Sequence, residues 1–125
     1  MKRDMDLIRH ILIEVEKGDG KVIQTIPLPD GITEEMFAYQ VALMRDAGLL
    51  EAHIHGTAFQ PVLRVTITRM TWFGHDFLQS VRDDTLWAKA KDSVLKPAAS
   101  WSFSLLVEWL KIEIHQRFFG VPPSS

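Results

Sequence analysis

The sequence predicts a mainly helical α+β fold, and three observations carry that expectation. Five stretches repeat apolar residues at the 3.6-residue helical spacing. Two short runs in mid-chain instead alternate apolar and polar residues, the period of a half-buried strand. The helical stretches are punctuated by capping residues at their starts and by glycine or proline at several of their ends.

In the first helix, expected from about Asp4 to Lys17, Met5, Ile8, Ile11, Leu12 and Val15 form the inward stripe. Asp4 is placed to cap it, Asp6 lies in its first turn and Gly18 stops it. GDGKVIQTIPLPDG then reads as a loop holding one short extended piece at Val22, Ile23 and Ile26, because its two prolines resist helix. A second helix is expected over Thr33 to Ala47, with Thr33 as N-cap, Glu34 and Glu35 in the first turn, and Phe37, Val41, Met44 and Ala47 inward before Gly48. Leu50, Ala52 and Ile54 alternate with Glu51, His53 and His55, and beyond Gly56 Val65 and Ile67 alternate with Arg64, Thr66 and Thr68, which predicts an antiparallel hairpin. Thr71 caps a helix carrying Phe73, Phe77, Leu78 and Val81, and Asp84 or Thr85 caps another carrying Leu86, Trp87, Ala90 and Val94, closed by Pro97. The last helix begins at Ser100 or Ser102 and is apolar nearly all round, and VPPSS is expected to be a loose tail.

Composition narrows the classes. A chain of 125 residues with 46% hydrophobic and 24% charged residues is long enough for a core of its own. Its formal charge of −2 supplies no general attraction to phosphate, so any nucleic-acid site has to be local. With no cysteine there is no disulfide and no thiolate chemistry. MKRDMD carries acids where a signal peptide needs an apolar core, and no apolar run approaches the roughly 20 residues of a membrane span, so a cytoplasmic protein without a membrane partner is expected.

The order helix, loop, helix, AGLLEA strand, second strand and MTWFGHDFL helix resembles a winged helix-turn-helix domain with a two-stranded wing and a C-terminal helical extension. YQVALMRDAGLLEA is similar to the recognition helix and first wing strand of small bacterial regulators of the ArsR and PadR type. MKRDMDLIRHIL, EEMFAYQVALMRDAGLLEA and MTWFGHDFLQSVRDDTLWAKAK resemble three ordered blocks of a bacterial and prophage family of unknown function, similar to YjcQ-like phage proteins. The resemblance covers about Met1 to Lys91. It implies a winged-helix domain over residues 1–95, a C-terminal helix over 96–120 and a tail over 121–125, and it brings no catalytic residues. This chain has Gln40 and Ala42 where the middle block carries histidine and lysine, and Phe73 where the later block carries an acid.

Candidate DNA contacts are Lys2, Arg3, Tyr39, Gln40, Arg45, Arg64 and Arg69, since base reading and phosphate neutralisation call for Arg, Lys and amide side chains on an outward helix face and its wing. Glu35 and Asp46 on the same helix oppose that use. His53 and His55 share a strand face beside Glu51, yet no fourth ligand is in view, and no metal or other cofactor is expected. Adjacent Asp83 and Asp84 in RDDT read as capping residues. Trp72 and Trp87 are assigned to the core. The last helix predicts a homodimer through Trp101, Leu105, Leu106, Trp109, Ile112, Phe118 and Phe119. The expected function is non-enzymatic protein–protein interaction of phage or mobile-element type, with itself or a host factor. The alternative is a DNA-binding regulator docking through the wing and helix 33–47, and a third class, a metal- or ligand-responsive sensor, requires His53, His55 and a pocket under the wing.

Overall fold

The computed structural model describes residues 2–56, 64–95 and 103–119. Over these it is α+β and mainly helical. The order is α1 (Met5–Lys17), α2 (Glu34–Asp46), β1 (Leu50–His55), β2 (Arg64–Met70), α3 (Trp72–Val81), α4 (Asp84–Ala90) and α5 (Phe103–Phe119). A π-helical turn, Lys91–Leu95, follows α4 directly. The chain divides into two compact units, Met1–Leu78 and Gln79–Ser125.

In the first unit, the Asp4 side chain caps α1 by accepting from the Leu7 N–H at 3.1 Å. Met5, Leu7, Ile8, Ile11, Leu12 and Val15 are all buried, and α1 packs on α2 and β2. Thr33 caps α2 through the Met36 N–H. At the other end the Gly48 N–H reaches the Arg45 carbonyl and the Leu49 N–H the Met44 carbonyl, with Gly48 at φ 79°, a left-handed stop that glycine adopts without steric cost. Phe37, Ala38, Val41 and Met44 face inward, whereas Ala47, expected in that stripe, is the exposed C-cap.

β1 and β2 pair antiparallel, with a bulge that the alternation of β2 did not anticipate. Glu51 pairs with Arg69 and Ala52 with Ile67, so Thr68 is the extra residue, and the shift lets both Ile67 and Met70 point into the core. The extended piece of the linker touches β2 at a single bridge, Ile23 to Ile67, and Val22 is 57% exposed. Thr71 opens α3 by accepting from the Gly74 N–H at 3.0 Å while its hydroxyl donates to the Gly48 carbonyl. Gly74 is there because of space: a Cβ on it would lie 1.9 Å from the Leu49 carbonyl oxygen.

The core assignment of Trp72 is overturned on α3. Trp72 is 83% exposed and Phe73 39%, because the buried stripe begins one turn later, at Phe77 and Leu78. Apolarity alone does not tell which side of a helix's first turn faces the core.

In the second unit, Asp83 caps α4, its carboxylate accepting from the Leu86 N–H at 2.8 Å. That bears out the capping role read for the adjacent aspartates and sets the cap one or two positions ahead of Asp84 or Thr85. Leu86, Trp87 and Ala90 are buried as expected. On α5, Leu106 and Leu110 are buried, and Lys89 on α4 donates to Glu113 at 2.7 Å. Pro97, Ser100, Ser102 and the VPPSS tail lie outside the described residues.

Candidate functional site: the hairpin, helix α2 and the cleft beside them

Three surfaces follow from this framework. The first is the exposed face of α2 with the outer face of the hairpin, where DNA contacts were expected. Tyr39 and Arg45 are exposed there, together with Glu34, Glu35 and Asp46, and Arg45 lies 3.9 Å from Asp46. Gln40 is not on this face. It is 2% exposed, its amide oxygen accepting from the Asp4 N–H at 2.9 Å and its amide nitrogen donating to the Lys2 carbonyl at 2.8 Å. The helical wheel put it outward, but the N-terminal segment folds across that face and buries it. Lys2 and Arg3 themselves are exposed. Arg69 meets Glu51 through two bonds, of 3.0 and 2.7 Å, so the hairpin's cation cluster is partly neutralised from within. His53, His55 and Arg64 remain exposed, and the two histidine rings lie 6.2 Å apart between centroids. Among the described residues no three His, Asp or Glu side chains gather into a metal-binding group.

The second surface is on α5. Leu105 is 59% and Ile112 43% exposed, and Trp109 between them is half-buried. Their i, i+4, i+7 spacing makes one stripe, separate from the row of Leu106 and Leu110. Leu106, named for the interface, is fully buried within its own chain. Trp101 lies outside the described residues, as do the side chains of Phe118 and Phe119.

The third surface is a cleft of about 240 Å³, lined by Gln24, Thr25, Ile26, Leu28, Glu34, Phe37, Arg64 and Val65. It exists because the linker leaves β2. At Ile23 the two backbones exchange both hydrogen bonds with Ile67, and a continued ladder would set Thr25 opposite Val65. Pro27 and Pro29 have no N–H to offer, and the linker parts from the strand edge before them. It is still held: the His10 ring contacts the Pro27 carbonyl at 2.6 Å, and the Ile32 N–H bonds the Pro29 carbonyl. The sequence indicated Arg64 but missed Glu34 and Phe37 as partners in a cavity. The proline pair that interrupts an apolar extended run was the available signal.

These features define a small, mainly helical α+β protein with a cleft beside its hairpin and an exposed apolar stripe on α5. The chain belongs to the family described as hypothetical protein (DUF2513), whose model matches residues 2–100. It is similar to an uncharacterized protein of Haemophilus influenzae, 31% identical over 93% of this chain and 98% of the relative. No solved structure matches it. No helix among the described residues is long and apolar enough to cross a membrane.

Proposed function

We propose that this is a non-catalytic binding protein whose first unit is of winged-helix type and which acts through protein–protein contact, beginning with self-association. The observation that carries the reading is the exposed stripe of Leu105, Trp109 and Ile112 on α5, set beside the already buried Leu106 and Leu110. A helix with two apolar rows needs two partners, and one row is satisfied within the chain. The stripe is apolar at three positions on one face, and the same stripe of a second copy can cover it. The resemblance of the three sequence blocks to prophage proteins supports a phage or mobile-element setting. The order of α1, linker bridge, α2, hairpin and α3 supports the winged-helix type, with the proline loop standing where a further helix would be.

Sedimentation velocity from 1 to 100 µM tests the proposal. The wild-type chain is expected to sediment as a dimer, and Ile112→Lys to weaken the dimer at least about 30-fold, as loss of a roughly 2 kcal/mol interface residue would. A wild-type monomer at the top concentration refutes self-association.

A DNA-binding regulator is the second reading, favoured by the exposed His53, His55 and Arg64 on the hairpin. It predicts a mobility shift of mixed DNA fragments that weakens steeply with salt and is reduced by Arg64→Ala. The acidic start of α2 and the burial of Gln40 weigh against it.

A further inference from the structure

We infer that the cleft between the linker and β2 is a binding site for a small zwitterion with an apolar side chain, of the free α-amino-acid class. Its lining includes the apolar Ile26, Leu28, Phe37 and Val65 together with charges of opposite sign, Glu34 and Arg64. Neither has an ion-pair partner among the described residues, although oppositely charged pairs form elsewhere in this chain, as at Arg69 and Glu51. An occupant that brings its own cation and anion completes both.

The backbone adds a second pair of groups. Because Ile67 spends its N–H and carbonyl on Ile23, the alternation of the ladder turns the N–H and carbonyl of Val65, two residues earlier, toward the same side. The register between β1 and β2 is unbroken from Ala52–Ile67 to His55–Arg64, so the bulge does not disturb that direction. The strand edge therefore presents a donor and an acceptor where the linker has left. A carboxylate accepts from the Arg64 guanidinium and the Val65 N–H, and an ammonium donates to the Glu34 carboxylate and the Val65 carbonyl.

Size and rigidity agree with this class. At about 240 Å³ the cleft is below the roughly 300–1,000 Å³ of drug-sized sites and suits on the order of a dozen heavy atoms. The linker wall is fixed at Ile23 by the bridge and at Pro27 by His10, so little ordering is left for the ligand to supply.

Calorimetric titration of the full chain with L-leucine, L-methionine and L-phenylalanine tests the assignment. At least one is expected to bind with a dissociation constant below about 1 mM, a free energy near −4 kcal/mol. Arg64→Ala and Glu34→Gln are each expected to weaken it tenfold or more with an unchanged circular dichroism spectrum. Phenethylamine and 3-phenylpropanoate, each missing one charge, are expected to bind at least tenfold more weakly than phenylalanine. No binding of the three amino acids at 10 mM, or binding insensitive to both substitutions, overturns the proposal. So does equal binding of N-acetyl-phenylalanine amide, which would make the cleft a groove for extended peptide.

Discussion

Gln40 shows how one side chain decides what a helix face is for. A primary amide offers a donor and an acceptor together, and here each meets a backbone group of the N-terminal segment, 36 and 38 residues away in sequence. Gln40→Leu keeps the bulk and leaves the Asp4 N–H and the Lys2 carbonyl without that partner. We expect it to lower the stability of the first unit by about 2 kcal/mol in urea unfolding, within the range for a partly buried polar group that loses its bond. A change below 0.5 kcal/mol, on the order of a neutral surface substitution, would show that the clamp contributes nothing. The sequence could not place this residue, because its partners lie on a segment whose path no local periodicity encodes. Gly74 makes the complementary point about space. Gly74→Ala forces a methyl group to within 1.9 Å of the Leu49 carbonyl, a rigid backbone atom at the turn that joins α2 to β1. The expected loss is about 3 kcal/mol or more, at the upper end of overpacking, measured as a fall in the urea midpoint.

At the scale of elements the sequence was far more legible, since caps, stops and periodicity are local. Asp4, Thr33 and Gly48 act where they were expected to, and α1, α2 and both strands follow their apolar spacing. The errors have local causes too. In RDDTLW three consecutive residues are all competent caps, and propensity does not rank them; the structure selects Asp83 because Leu86, three residues on, is the first buried position. Asp83→Ala is therefore expected to destabilise the second unit by about 1 kcal/mol. Asp84→Ala, which removes a first-turn acid, is expected to cost less than half of that, and a thermal-unfolding comparison of the two variants checks the order. The bulge at Thr68 and the exposure of Trp72 were hidden for another reason. Both depend on where an element meets its neighbours, and strict alternation or an apolar stripe describes one element in isolation. The cleft was hidden most completely, because the linker, α2 and β2 come together there from three separate parts of the chain.

On the scale of the whole molecule, the proposed tasks divide between the two units. Met1–Leu78 holds α1, α2, the hairpin, the cleft and, among the described residues, most of the buried apolar side chains, whereas the exposed α5 stripe belongs to Gln79–Ser125. If the first unit is self-sufficient and self-association resides in α5, a chain ending at Arg82, which keeps α3 whole, should separate the two properties. We expect this 82-residue fragment to unfold cooperatively, to retain the helical circular dichroism of α1 to α3, and to sediment as a monomer at concentrations where the full chain is a dimer. Its length is near the lower limit at which a single core holds without disulfides or metal, so a stability of only about 3–5 kcal/mol is anticipated. A fragment that folds but still dimerises would move the interface off α5, toward surfaces such as the exposed Trp72 and Phe73 of the first unit. A fragment that fails to fold would mean that the α1–α2–hairpin core needs residues beyond Arg82, and the division of tasks between the two units would be withdrawn.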